Sequence, residues 1–191
     1  WTLSRGLGDV YKRQKFPARY RWGFVTLSPA IDVAILKRVC DAYRELCMRS
    51  TCDKAYDVCT ALPNGGLPLI RDKLLVEYPT ETGQAADGAH RHFSGLWALY
   101  PGRQLSPFDA SRETWDAAVR TLKHKLGAGS GHTGWSRAWA ACLAARSLDG
   151  ALVEKQLVAL ISDFFTASLF GTHPPLKPTY KDQGCQTCFV R

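Results

Sequence analysis

Three stretches of helical period follow one another in the second half of the chain with very little between them. Ser111 stands before Trp115, Ala118, Val119, Leu122 and Leu126, and Gly127 stops that run. Trp135, Trp139, Cys142 and Leu143 make a second stripe, closed by Asp149-Gly150. Leu152, Val153, Leu157, Leu160, Ile161, Phe164 and Phe165 make a third, within Ala151 to Leu169. Apolar residues at three- and four-residue spacing give each helix one face to bury. Connections this short return the chain on itself, so successive helices are antiparallel neighbours. No sequence-level repeat is visible, but a geometric repeat of helical hairpins gives this pattern.

The first half is looser. Ser28 and Pro29 read as a helix start, and Ile31, Ile35, Val39, Ala42 and Leu46 form its stripe. Asp53 to Leu62 reads as a shorter helix ended by Pro63. Residues 63–89 then carry Asn64-Gly65-Gly66, Pro68, Pro79, Gly83 and Gly88, which predicts a long loop. Within it, LPLIRDKLLVEY predicts a short hairpin. A loop of this length in a compact domain is often functional. The expected fold class is mostly α.

Hydrophobic residues make up 46% of the 191, enough to supply a core and to exclude general disorder. The net charge of +8 invites a nucleic-acid reading, but its distribution argues against one. Residues 4–14 and the tail after Pro175 each carry +2, and the remaining +4 forms no dense Lys/Arg stripe. No apolar run reaches the length of about 18 residues that a membrane span needs. Neither nucleic acid nor a membrane span is expected.

The seven cysteines include Cys40 and Cys47, seven apart, and Cys52 and Cys59, also seven apart. Buried thiols are the expected reading, with disulfides or a metal across a helical hairpin as the alternative. Cys185-Gln-Thr-Cys188 lacks a second half-site and a histidine, so it predicts no zinc. No metal and no cofactor are expected.

Three polar or glycine-rich stretches between helices could carry function. HRHFSGLWALYPG places His90 and His92 around Arg91, suited to the wall of a pocket for a hydroxylated or anionic ligand. GAGSGHTGWSRAW delivers Trp135 and Trp139 to a helix start, where an indole could stack on a sugar ring or join the core. LFGTHPP holds His173 in extended geometry ahead of two prolines. There is no GxSxG and no phosphate loop. Glu77 and Glu81 lie just upstream of His90, but no carboxylate pair declares itself by spacing.

The order SPAIDVAILKRV, LLVEY, HRHFSGLWALYPGRQLSP, GHTGWSRAW and LFGTHPP resembles glycoside hydrolase family 95, over roughly Thr26 to Pro175. That family comprises α-L-fucosidases, chiefly cleaving terminal α-1,2-linked fucose, and some α-L-galactosidases. The resemblance implies that 15–175 is a fragment of an (α/α)6 toroid, the family's catalytic domain, with a fucosylated glycan as its partner. It implies inverting chemistry, with a Glu as general acid and an Asp, helped by Asn side chains, activating water. By the resemblance, Arg91 and His92 contact fucose hydroxyls, and His173 precedes the catalytic Asp. His90 supports the pair, and Trp135 and Trp139 line the pocket or the core. The family's HRHxSHL has a histidine where this chain has Gly95, so packing or a contact is expected to differ there. The general acid and the Asn pair belong upstream of the helix at Ser28. The base falls at Thr179, and a hydroxyl cannot serve as that base at neutral pH. No catalytic residue is therefore expected in this chain, which is expected to be inactive by itself.

Both ends fit that expectation. SRGLGDVYKRQ, Ser4 to Gln14, matches at all eleven residues a transposase-type sequencing adapter read in one frame. Residues 1–14 are expected to be an artefact, and residues 176–191 a non-homologous tail from a frame change or intron read-through. A non-catalytic helical scaffold or carbohydrate-binding module, and an (α/α)6 glycosidase for another sugar such as L-galactose, remain the alternatives.

Overall fold

The computed structural model describes residues 29–46, 60–79 and 88–172. The expectations for 1–14, the thiols of Cys47, Cys52 and Cys59, Glu81, His173, Thr179 and the tail lie outside the described residues.

Four α-helices carry the described fold: α1 (Ala30–Leu46), α2 (Arg112–Gly127), α3 (Gly134–Arg146) and α4 (Gly150–Phe164). Among the described residues the strands are a hairpin of two-residue strands, β1 (Ile70–Arg71) and β2 (Leu74–Leu75). The chain is mostly α, as its periodicity predicts.

The buried face of α1 is not the predicted stripe. Ala30, Val33, Ala34 and Cys40 are buried, whereas Val39 and Leu46 are 57% and 82% exposed. Small side chains win that face because polar groups approach the backbone there. Gln104 donates from Nε2 to the Ala34 carbonyl at 2.6 Å, and the Ala30 N–H donates to the Glu77 carbonyl at 3.0 Å. Cys40 is disulfide-bonded, not a buried free thiol; Cys142 is free.

The hairpin pairs Ile70 with Leu75 and Arg71 with Leu74. Its turn residues Asp72 and Lys73 have φ of 51° and 64°, the left-handed pair that matches the twist of a two-residue hairpin. The Leu75 N–H then donates to Thr121 Oγ1 at 2.8 Å, which ties β2 to α2.

The last three helices begin on capping side chains. Ser111 Oγ accepts from the Thr114 N–H, Thr133 Oγ1 from the Ser136 N–H, and Asp149 Oδ1 from the Leu152 N–H. Each satisfies a backbone donor that the first turn leaves open. Three residues, Ser147–Asp149, link α3 to α4, and the two pack along each other. Arg137 donates from Nη1 to Gln156 Oε1 at 2.7 Å across that contact. The helix expected over Ala151 to Leu169, α4, ends at Phe164. Phe165 is extended and pairs with Gly171, and Leu169 has φ of 60°.

The core lies between α1, the hairpin, residues 93–105, α2 and α3. Phe93, Leu96, Leu99, Leu105, Leu122 and Leu143 are fully buried in it. The segment from Phe93 to Leu105 has little regular structure yet sits at the centre.

Candidate functional site

Residues His90 to Leu99 run from the surface into the core. Phe93, Leu96 and Leu99 are 0% exposed, and the three side chains before them, His90, Arg91 and His92, are half-buried. Deep apolar anchors thus fix a polar tripeptide at the rim.

The loop 128–133 and the start of α3 hold this tripeptide by its backbone. Ser130 Oγ lies 2.6 Å from the Gly88 carbonyl and 2.7 Å from the His90 carbonyl, and shares its proton between them. Ser136 Oγ donates to the Arg91 carbonyl. Farther along, Trp139 Nε1 donates to the Tyr100 carbonyl at 2.9 Å and Arg146 Nε to the Leu99 carbonyl at 3.3 Å. Both serines are buried, so each hydroxyl finds its acceptor in the protein and not in water.

With the backbone held, the rings line up. The His90 and His92 centroids are 4.8 Å apart, tilted by 34°. His92 meets Trp135 edge-on at 5.4 Å, and Trp135 lies 4.9 Å from Trp139. Trp139 meets buried Phe93 at 6.0 Å. The row starts at buried Phe93, and Trp135 in its middle is 59% exposed. An exposed indole beside an imidazole offers an apolar face next to a hydrogen-bonding group, the combination a sugar ring requires. Trp139, by contrast, is a wall of the core.

The site is rich in cationic and basic groups. Burial, first, and then the charges of His92, Lys125, Arg91 and His132 push the His90 imidazole down to about 3 from its usual 6.5. His90 is neutral at physiological pH and keeps one nitrogen as donor and one as acceptor. The Arg91 guanidinium has no hydrogen-bond or ion-pair partner among the described residues, so its donors are available to a ligand.

Gly134 explains how a further segment reaches the same rim. A Cβ there would lie 2.6 Å from the Thr172 carbonyl oxygen. The chain after α4 folds back through the Phe165–Gly171 bridge, and the Thr172 N–H donates to the Phe164 carbonyl at 2.6 Å. Thr172 thereby touches the first turn of α3, one residue from Trp135.

The family is decided by comparison. The glycosyl hydrolase family 95 catalytic domain model matches residues 16–178. The chain belongs to glycosyl hydrolase family 95. A probable alpha-fucosidase A of Aspergillus niger is 34% identical over 93 residues, which cover 47% of this chain and 12% of that protein. The chain thus spans about an eighth of the length of this relative.

Of the predicted site residues, the fold brings the rings of His90, His92 and Trp135 together, fixes Arg91 between the two histidines by its carbonyl, and leaves His173 outside the described residues. Sequence reasoning missed Ser130 and Ser136, which grip the tripeptide, and Lys125. A lysine on the last turn of a helix reads as a solvated end; here it is 2% exposed. Glu77, weighed as a reactive carboxylate, is 3% exposed and accepts from Ser94 Oγ. The Gly95 position is explained as well. A Cβ at Gly95 would lie 3.3 Å from the Glu77 Cβ, so a histidine there would require Glu77 to move.

Proposed function

We propose that the His90–Arg91–His92 rim with Trp135 binds a terminal L-fucose residue of a glycan. The parent enzyme on this reading is an inverting α-L-fucosidase of α-1,2 linkages built on an (α/α)6 toroid. The carrying observation is the His90–His92–Trp135 row of rings, on a segment whose carbonyls two buried serines hold, with an Arg91 guanidinium that has no partner among the described residues. Membership of family 95 and the probable alpha-fucosidase among its relatives support that choice of sugar.

The chemistry of the pocket follows. Arg91 donates to ring hydroxyls, His92 donates or accepts beside it, and Trp135 covers an apolar face of the sugar. L-Galactose carries the same ring hydroxyls and differs by a hydroxyl at C6. The two sugars therefore separate where the C6 group meets Trp135, and not at Arg91. His173, outside the described residues, is part of the proposal by its match to the family pattern.

Inversion needs two carboxyl groups about 6.5–9.5 Å apart, with water between them and the sugar. Glu77 is sealed under the rim and occupied by Ser94, so it does not fill either role. The chain by itself is proposed to bind without turnover. The same observation favours a purely carbohydrate-binding role as the second reading.

Titration of the chain with L-fucose, followed by tryptophan fluorescence and calorimetry, tests the proposal. Saturable binding lost in Arg91→Ala, with an unchanged melting temperature, is expected. Binding that survives Arg91→Ala, or equal binding of D-glucose, refutes the assignment. Turnover of 2′-fucosyllactose above a mock preparation refutes the inactivity.

A further inference from the structure

Under the tripeptide lies a charge pair that its own energetics do not explain. Lys125, on the last turn of α2, is 2% exposed. Its Nζ stands 3.7 Å from Glu77 Oε2, near enough for an ion pair but too far for a hydrogen bond. It has no hydrogen-bond partner among the described residues. Desolvating an ammonium group costs more than one loose contact returns, and apolar residues of the same shape commonly serve stability as well or better. A buried charge held this way therefore points to another use.

Its connections show what that use is. The other Glu77 oxygen, Oε1, accepts from Ser94, two residues after His92 and the first residue of a single 3-10 turn, Ser94–Leu96. The Lys125 carbonyl accepts from the Ser130 N–H at 2.9 Å, and the Ser130 hydroxyl holds the carbonyls of Gly88 and His90. The pair is thus joined to the segment on both sides of Arg91. Gly95 lets the turn settle directly on Glu77.

We propose that Lys125 and Glu77 are positioning residues for the Arg91–His92 contact, gripping it from beneath through Ser94 on one side and Ser130 on the other. The assignment rests on reading that contact as the sugar site. Lys125 has a second effect. The groups that face His90 are His92 and Arg91 on its own segment, His132 on the loop before α3, and Lys125 on α2; after burial, their charges oppose its protonation. Removing the ammonium relaxes that opposition.

The test uses two variants of the full chain. The double variant Glu77→Gln/Lys125→Met removes both charges, keeps both shapes and leaves an amide oxygen for Ser94. Ser94→Ala cuts the link to the turn. Three readouts are taken: the melting temperature, the NMR titration of the His90 ring assigned by its loss in His90→Gln, and L-fucose binding against pH. The double variant is expected to melt at or above the unsubstituted chain. Its His90 midpoint rises by about one pH unit, and the acid limit of binding moves with it. Ser94→Ala is expected to weaken L-fucose binding about tenfold and to speed amide exchange at 90–93 at least as much. An unmoved His90 midpoint in the double variant, or unchanged exchange in Ser94→Ala, overturns the proposal. If the unsubstituted chain binds no L-fucose, the sugar reading fails, while the midpoint and the exchange rates still decide the positioning.

Discussion

Gly134 and Gly150 each open a helix, and their alanine variants should move stability in opposite directions. Alanine restricts the unfolded chain more than glycine does, which favours folding by about 0.4–1 kcal/mol where the native backbone accepts it. At Gly150 nothing lies within 4 Å of the added Cβ, so that gain is realised. At Gly134 the Cβ would stand 2.6 Å from the Thr172 carbonyl oxygen and 3.4 Å from the Phe164 Cβ. The oxygen is backbone, on a residue whose N–H and hydroxyl both bond the Phe164 carbonyl, so relief requires the backbone to shift. Overpacking of this kind costs about 1–3 kcal/mol, so collision exceeds the entropic gain and Gly134→Ala is destabilising by about 1–2 kcal/mol. For a chain of this size the melting temperature then falls by about 2–8 °C, while Gly150→Ala raises it by about 1–4 °C. Differential scanning calorimetry of both variants against the unsubstituted chain measures the pair. If Gly134→Ala is neutral or stabilising, the 165–172 segment does not pack against α3 as described, and Thr172 does not belong to the rim.

Removing the Ser136 hydroxyl should expose the grip on Arg91. Ser136→Ala leaves the Arg91 carbonyl without its donor, and a loss of about 1–2 kcal/mol in urea unfolding is expected; L-fucose affinity unchanged within twofold would disconnect that grip from binding. His90 gives a pH prediction. Its folded pKa of about 3 lies below the ordinary 6.5, so between those values the unfolded chain binds the extra proton. Stability from this group is present above pH 6.5 and is lost as the pH falls toward 3. His90→Gln should therefore flatten the acid side of the stability profile by up to about 1.4 kcal/mol per pH unit; parallel profiles for the two chains would show that His90 is not held neutral.

What could be read from sequence followed what local physics controls. The Ser111 start of α2 and the short hairpin within LPLIRDKLLVEY depend on residues within four positions, and both form; Asp149, read as a turn, also caps α4. The mostly helical class follows from periodicity for the same reason. The burial of α1 does not, because Ala34 prevails over Ile35 only once Gln104, seventy residues away, reaches its carbonyl. The early end of α4 at Phe164 likewise depends on Gly171 pairing with Phe165. At the site, HRH and GWSRAW named the rings of His90, His92 and Trp135 that the fold gathers in one row, since polar residues beside glycine-rich turns are legible as a type. The supporting residues were not legible. Ser130, Ser136 and Lys125 acquire their roles from bonds spanning about forty to fifty positions, and nothing in their immediate neighbours marks them.

Glu77 shows why those supporting bonds matter for function. By sequence it is the nearest described carboxylate upstream of the HRH tripeptide, a natural candidate for acid–base work. Such work needs a carboxyl that can exchange a proton with substrate or water. Glu77 instead has one oxygen on the Ser94 hydroxyl and the other facing Lys125, with the Gly95 turn closed over it. Proton exchange there would break the contact that orders Ser94 and, through it, the rim. The same burial that disqualifies Glu77 as a reactant suits it to hold Arg91 and His92 at a fixed spacing. A guanidinium aimed at ring hydroxyls gains from such fixing, because each immobilised side chain is ordered before the sugar arrives. On the proposed reading, Glu77 belongs to the grip on the sugar and not to the carboxyl pair that breaks the bond.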